Sequence, residues 1–202
     1  FAEGGVLARA FKDYRVRSQQ LEMARTISAA IEKHEILVAE AGTGTGKTYA
    51  YLAPALLAGG KVIISTGTKT LQDQLFFRDI PAMREALKVP VTIAMLKGRA
   101  NYVCHFHLER AKNEGRFMTR DDSVYLSKIE KFAKASDSGD KSALSEVPEN
   151  AGIWSFVTST RENCLGQDCP QHKECFVMEA RKRAQGADVV VVNHHLFFAD
   201  VM

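Results

Sequence analysis

No apolar run in this sequence is long enough to cross a bilayer: stretches such as Val189 to Val192 fall far short of the roughly 20 residues that a spanning helix needs. Net charge is small, +3 from 27 basic and 24 acidic residues, so any nucleic-acid surface must come from local clustering. Internal repeats are missing, and the only biased stretch is the short linker near Ser136 to Glu146, which argues against solenoid and low-complexity classes. The amino terminus shows no basic segment leading into an apolar one, so no secretory signal is visible; a cytoplasmic protein with reduced thiols is the expectation. Cysteine is scarce, with four residues and none before position 104. What is present, 46% hydrophobic residues over 202 positions, suffices for one ordinary domain plus an insertion.

The most informative segment is Ala41-Gly42-Thr43-Gly44-Thr45-Gly46-Lys47-Thr48. It follows the apolar run Ile36 to Ala39, which reads as a short buried strand, and precedes a helical pattern from Tyr49 to Leu57. Glycines let the backbone bend so that successive N–H groups and the positive end of a helix converge on phosphate. In such a loop Lys47 reaches the terminal phosphates of a nucleoside triphosphate and the Thr48 hydroxyl holds Mg2+. Ala41 stands where the pattern usually has glycine.

Around that loop the pattern is strand, helix, strand. A helix over Gln19 to Lys33, capped by Ser18, presents Leu21, Ala24, Ile27 and Ile31 on one face. Strands are expected at Lys61 to Ser65 and Val91 to Leu96, with a helix through Leu71, Leu75 and Phe76 between them. These intervals predict an α/β fold with a parallel sheet covered by helices on both faces. After Lys97 the pattern changes: helices near Asn101 to Lys112 and Asp121 to Ala135, then polar turn residues, read as an insertion spanning 98–186. The sheet resumes at 187–202 with the β-branched run Val189 to Val192, closed by Asn193-His194-His195.

All four cysteines, Cys104, Cys164, Cys169 and Cys175, fall inside the insertion. Pro170 separates two of them, and one loop can present three thiolates to a single centre while Cys104 arrives from the other end. Disulfides are disfavoured in a reducing compartment, and the five-residue gap exceeds the usual zinc-knuckle spacing. Spacing alone does not separate zinc from an iron-sulfur cluster.

Four features together resemble the iron-sulfur DNA helicases of the DinG and XPD group in helicase superfamily 2, in a bacterial branch of it: Arg17-Ser18-Gln19-Gln20-Leu21-Glu22-Met23, the loop Glu40 to Leu52, Ile63 to Thr68, and the cysteines followed by Val191 to Phe197. The resemblance implies a RecA-like motor domain whose first part is 1–97, a helical [4Fe-4S] insertion at 98–186 on Cys104, Cys164, Cys169 and Cys175, and a return to the motor at 187–202. It implies ATP and Mg2+ as cofactors and 5' to 3' unwinding of single-stranded and forked DNA in repair. A monomer, cytoplasmic and nucleoid-associated, working with replication or repair proteins, goes with that picture.

Carried over by position, Arg17, Gln20 and Ala41 through Thr48 bind the nucleotide, with Gln20 reading adenine, which suits an amide that both donates and accepts. Thr66 and Thr68 match the motif that holds the single-strand backbone. Lys97 and Arg99 open a basic stretch with aromatics, running through Tyr102, Phe106, Arg110, Lys112, Arg116 and Phe117 to Arg120, that suits phosphates and stacked bases. The sequence ends before the Asp-Glu-Ala-His segment and the second motor domain of that group, so the isolated chain is expected to be inactive. The competing readings are a non-enzymatic DNA-binding or interaction module with a structural zinc or iron-sulfur site, and a P-loop kinase or GTPase, against which stands the lack of an Asn-Lys-x-Asp segment.

Overall fold

The structure is a computed structural model that describes residues 1–115 and 119–201. The chain divides into two compact units, 1–95 with 187–202, and 96–186.

The first unit is α/β. Its sheet holds β1 (Val62–Thr66), β2 (Ile93–Met95) and β3 (Val189–Asn193) in the order β1-β3-β2, all parallel, with Val62 and Ile93 both opposite Val189. β3 is the central strand, and this explains its four consecutive valines: a strand covered on both faces needs apolar residues at every position, and all four are buried. Asp188 staples the sheet's start. Its carboxylate accepts from the Thr92 N–H and hydroxyl, each at 2.7 Å, and these bonds hold it below the usual carboxylate range.

The helices of this unit are α1 (Val6–Ala10), α2 (Ser18–Lys33), α3 (Lys47–Ala58), α4 (Lys69–Gln74), α5 (Ile80–Leu87) and α10 (His194–Val201). Leu52 and Leu56 of α3 pack with Leu75, Ile80, Met83, Val189 and Val191 in one core. α4 passes into α5 through a π-helical turn, Leu75–Asp79, which inserts an extra residue into the helix and re-aims Arg78 and Asp79. Ser18 begins α2 rather than capping it; Arg17 occupies the cap position without a side-chain bond.

The expected strand at Ile36 to Ala39 is not formed. Ile36 is 96% and Val38 93% exposed, and the segment pairs with no strand among the described residues. Extended backbone becomes a strand only when a neighbour takes its N–H and C=O groups, whatever its apolar pattern.

The second unit is helical: α6 (His105–Glu114), α7 (Arg120–Ala135), α8 (Trp154–Val157) and α9 (Phe176–Gly186), with short 3-10 turns between them. Thr119 and Asp122 form a reciprocal capping box at the start of α7. Leu108, Ile129, Ile153, Trp154, Val157 and Val177 form its own core. Gly139 has φ +61, and its bare α-carbon lies against the Phe176 ring, where a β-carbon would collide.

Candidate nucleotide and thiol sites

The loop 41–48 ends where α3 begins. Gly44 and Gly46 have φ of 78 and 81, left-handed values that explain glycine at both. Lys47 Nζ turns back and donates to the carbonyls of Ala41, at 2.7 Å, and Gly42, at 2.9 Å, while Thr45 Oγ1 donates to the Gly42 carbonyl. The ammonium thus sits at the loop's mouth on weak neutral acceptors, which an anionic phosphate oxygen outcompetes. The Thr48 hydroxyl is hydrogen-bonded to Tyr51, whose phenol is pushed up to about 12, chiefly by burial, and so stays protonated at physiological pH.

Gln20 packs against the loop. Its side chain is buried, Nε2 donates to the Gly46 carbonyl at 2.9 Å, and Oε1 accepts from the Tyr14 hydroxyl at 3.2 Å. One N–H and one acceptor site of the amide thus hold the loop in place. A side chain at Gly46 would strike the Gln20 amide and crowd Arg17. Beside this clamp lies a cleft of about 510 Å³ lined by Phe11, Arg17, Gln20, Thr48, Tyr49 and Arg78, among others. Phe11 and Tyr49 stack with centroids 4.9 Å apart. Asp79, buried, accepts from Gln74 Nε2 at 2.7 Å and from Arg78 Nε at 2.9 Å, leaving Arg78 largely exposed. Phe11, Tyr14, Arg78 and Asp79 were not flagged by sequence; the aromatics just before Arg17 are the only local sign, and nothing in the sequence marks the π-helical turn.

At the carboxyl end of β1, Thr66 is buried and its hydroxyl donates to the Thr68 carbonyl, while Thr68 Oγ1 accepts from the Leu71 N–H and caps α4. Gly67 to Leu71 are exposed, so Thr66 shapes the turn and Thr68 lies on its surface. Ser65 Oγ lies 2.7 Å from His194 Nδ1, tying this turn to the start of α10.

In the helical unit all four cysteines are free thiols, so no disulfide is formed. They line one cavity of about 230 Å³. Cys104 is the cap residue of α6; burial pushes its thiol up most, the His107 and Phe106 N–H groups pull it back, and Cys169 and Cys175 raise it again. Arg99 Nη1 donates to Cys164 Sγ at 3.2 Å. His105 packs at a tilt against Phe176, and burial lowers its pKa. His107 is buried and lines the same cavity, and its Nε2 has no hydrogen-bond partner. Such an orphan costs about 1–3 kcal/mol. Among the described residues, no three His, Cys, Asp or Glu side chains converge closely enough to hold a single metal ion. Four sulfurs surround one cavity, with N–H and guanidinium donors beside two of them, a donor set that fits a thiolate-bound metal centre.

A family model described as DEAD/DEAH box helicase matches residues 20–103. Over its full length the chain is 51% identical to "ATP-dependent DNA helicase YoaA" of Haemophilus influenzae, covering 31% of that protein. It is 50% identical to the Escherichia coli protein of the same name, covering 32%. The chain is a homologue of the YoaA and DinG helicases. To "ATP-dependent helicase DinG" of Mycobacterium tuberculosis it is 36% identical over 92% of the chain and 31% of the relative. The chain therefore spans about a third of the length of the curated relatives it matches.

For a homologue of DNA helicases, the basic stretch is less available than its sequence suggests. Lys97 is buried, its Nζ 2.8 Å from Asp140 Oδ2 and 3.2 Å from Ser142 Oγ, so it is not a surface cation. Arg99 is engaged with Cys164, and Tyr102 is in the core. Arg110 pairs with Glu114, and Lys112 with Glu130, which Lys112 and Lys134 hold down to about 2. Arg116 and Phe117, and the side chain of Arg120, lie outside the described residues.

Proposed function

We propose that this chain works within an ATP-dependent DNA helicase of the YoaA and DinG type, one that moves 5' to 3' along single-stranded DNA and opens forked duplexes during repair. The observation that carries this reading is Lys47 on the Ala41 and Gly42 carbonyls at the start of α3, with Gln20 bracing the loop from behind. Lys47 and the N–H groups at the start of α3 would bind the phosphates of ATP, Lys47 leaving those two carbonyls for an anionic partner. Thr48, here hydrogen-bonded to Tyr51, would hold Mg2+, which would neutralise phosphate charge, and Arg17 stands beside the loop. The backbone of a DNA single strand would lie along Gly67 to Thr70, which are exposed residues.

Cys104, Cys164, Cys169 and Cys175 would hold a [4Fe-4S] cluster, which supplies a one-electron centre and a cross-link joining distant parts of the unit. The chain's own residues prepare that site. The His107 and Phe106 N–H groups reach Cys104 Sγ and the Arg99 guanidinium reaches Cys164 Sγ, so donors already stand beside two of the four sulfurs.

The test uses the full-length protein, purified without oxygen. ATP hydrolysis stimulated by single-stranded DNA and unwinding of a 5'-tailed fork are expected, both lost in Lys47→Ala; unwinding confined to 3'-tailed substrates, or turnover that survives Lys47→Ala, overturns the reading. Four irons and four sulfides per chain without stoichiometric zinc are expected, and zinc in their place overturns the cluster.

A further inference from the structure

We infer that His194 is a contact to single-stranded DNA, its ring Nε2 donating to a backbone phosphate beside Gly67, and that Ser65 is the positioning residue that holds the ring for it. The inference rests on the helicase reading above and adds two residues to the path of the DNA strand. The segment Asn193-His194-His195 takes no part in the nucleotide or thiol sites, yet it is built onto the turn at Gly67. Ser65 Oγ and His194 Nδ1 are 2.7 Å apart although 129 positions separate them. The position that a β-carbon would take at Gly67 is 3.6 Å from His194 Cδ2 and 3.8 Å from Nε2, so the ring edge that carries Nε2 lies along the bare face of this glycine. Both residues are exposed, and Gly67 opens the stretch assigned to the DNA strand. One turn along α10 the ring of Phe198, 54% exposed, has its centroid 6.1 Å from that of His194.

A phosphate oxygen accepts hydrogen bonds and donates none, so beside an imidazole it selects the form with hydrogen on the nearer nitrogen. With Nε2–H turned to phosphate, Nδ1 of the neutral ring is an acceptor, and the Ser65 hydroxyl donates to it. Ser65 is itself fixed in the sheet, in register opposite Val192, so one hydroxyl sets both the orientation of the ring and its tautomer. Among the described residues no protein group is bonded to Nε2, and His195, next in sequence, makes neither contact. An N–H donor for phosphate with an exposed aromatic ring beside it matches a nucleic-acid single strand, because every base has a face that stacks. A free anion has no use for Phe198.

The full-length protein, purified without oxygen, tests this with oligo-dT strands in which one phosphate at a time is a neutral methylphosphonate, binding being read by fluorescence anisotropy. In wild type the replacement weakens binding at each contacted linkage. At one of them the penalty is expected to vanish in His194→Asn, which keeps an amide near the Nδ1 position for Ser65 but does not reach as far as Nε2. His194→Gln, whose amide reaches the Nε2 position, keeps the penalty, and so does His195→Asn. On unmodified oligo-dT, His194→Asn is expected to bind about three- to tenfold more weakly than wild type. Ser65→Ala loses part of the penalty at the same linkage, whereas Ser65→Thr retains it. A loss spread evenly over all linkages, or His194→Asn and His194→Gln that behave alike, overturns the contact. Wild-type protein that binds no single-stranded DNA overturns the helicase reading itself. If His194→Asn does not fold, the two Ser65 variants decide, and a full penalty at every linkage in Ser65→Ala overturns the inference.

Discussion

The Gln20 amide reaches across 26 positions of sequence to donate to the Gly46 carbonyl at 2.9 Å, and so couples the helix before the phosphate loop to the residue that starts the helix after it. Gly46 in turn needs to be glycine, both for its φ of 81 and because the amide occupies the space of a β-carbon.

Gln20→Ala leaves the Gly46 carbonyl and the Tyr14 hydroxyl without this partner and loosens the loop. ATP affinity is expected to fall about tenfold, equivalent to about 1.4 kcal/mol, as measured by calorimetric titration. The clamp acts on the phosphates, so GTP affinity falls in parallel. A loss confined to ATP would instead assign base reading to Gln20.

The ion pair of Lys97 with Asp140 separates a structural from a DNA-binding role. Asp140→Ala leaves an ammonium whose side chain is only 3% exposed without its carboxylate. Removing one partner of a buried pair costs about 3–5 kcal/mol. The expected outcome is early unfolding of the helical unit, read from the fluorescence of Trp154, the single tryptophan of this sequence, which lies in that unit's core. Lys97→Met keeps the volume without the charge and is expected to leave the salt dependence of DNA binding unchanged, whereas a phosphate contact would reduce it.

Local pattern carried much of the fold. The runs that became β1, β2 and β3 are apolar and β-branched, and α2, α3 and α7 follow from spacing and turn residues at their ends. The exception is Ile36 to Ala39: its composition is that of a central strand, but a ladder depends on what lies alongside, and that is not local information. The site divides the same way. Glycine spacing exposes the loop, because a left-handed turn demands a residue type. The partners of Gln20, Lys97 and Arg99 stay hidden, because each is fixed by a contact from 26 to 65 positions away. Lys97 in particular reads as a surface cation, since buried lysines are rare and nothing beside it announces Asp140.

Tyr51 gives a test in alkaline solution. Its folded pKa, about 12, lies above the ordinary value of 10.0. The folded state therefore holds the phenolic proton where the unfolded state has lost it. Stability from this group is unaffected below pH 10, falls as pH rises from 10 to 12, and does not fall further above that. Denaturant melts at rising pH are expected to show a shallower decline in Tyr51→Phe than in wild type, and absorbance titration to lose its latest phenolate step. The substitution also frees Thr48 from its phenol partner, so Mg2+-dependent ATP affinity should hold or rise; a sharp fall would mean that Tyr51 positions Thr48 for the metal.

Gly139 ties the integrity of the thiol site to a single missing methyl group. Its φ of +61 disfavours any side chain, and a β-carbon there would collide with the ring of Phe176. That ring immediately follows Cys175 and packs at a tilt against His105, next to Cys104. The collision falls on ring atoms of a buried side chain rather than on the far end of a flexible one, so the ring itself must shift. Gly139→Ala is expected to cost about 1–3 kcal/mol in the helical unit, through strain and displacement of the ring. Displacing Phe176 moves both cysteine positions, so iron content after anaerobic purification should fall together with protease resistance of 96–186. ATP binding at the loop 41–48 depends on residues of the other unit and should persist. Retained iron with a lowered melting temperature would separate the packing of Phe176 from the geometry of the thiols.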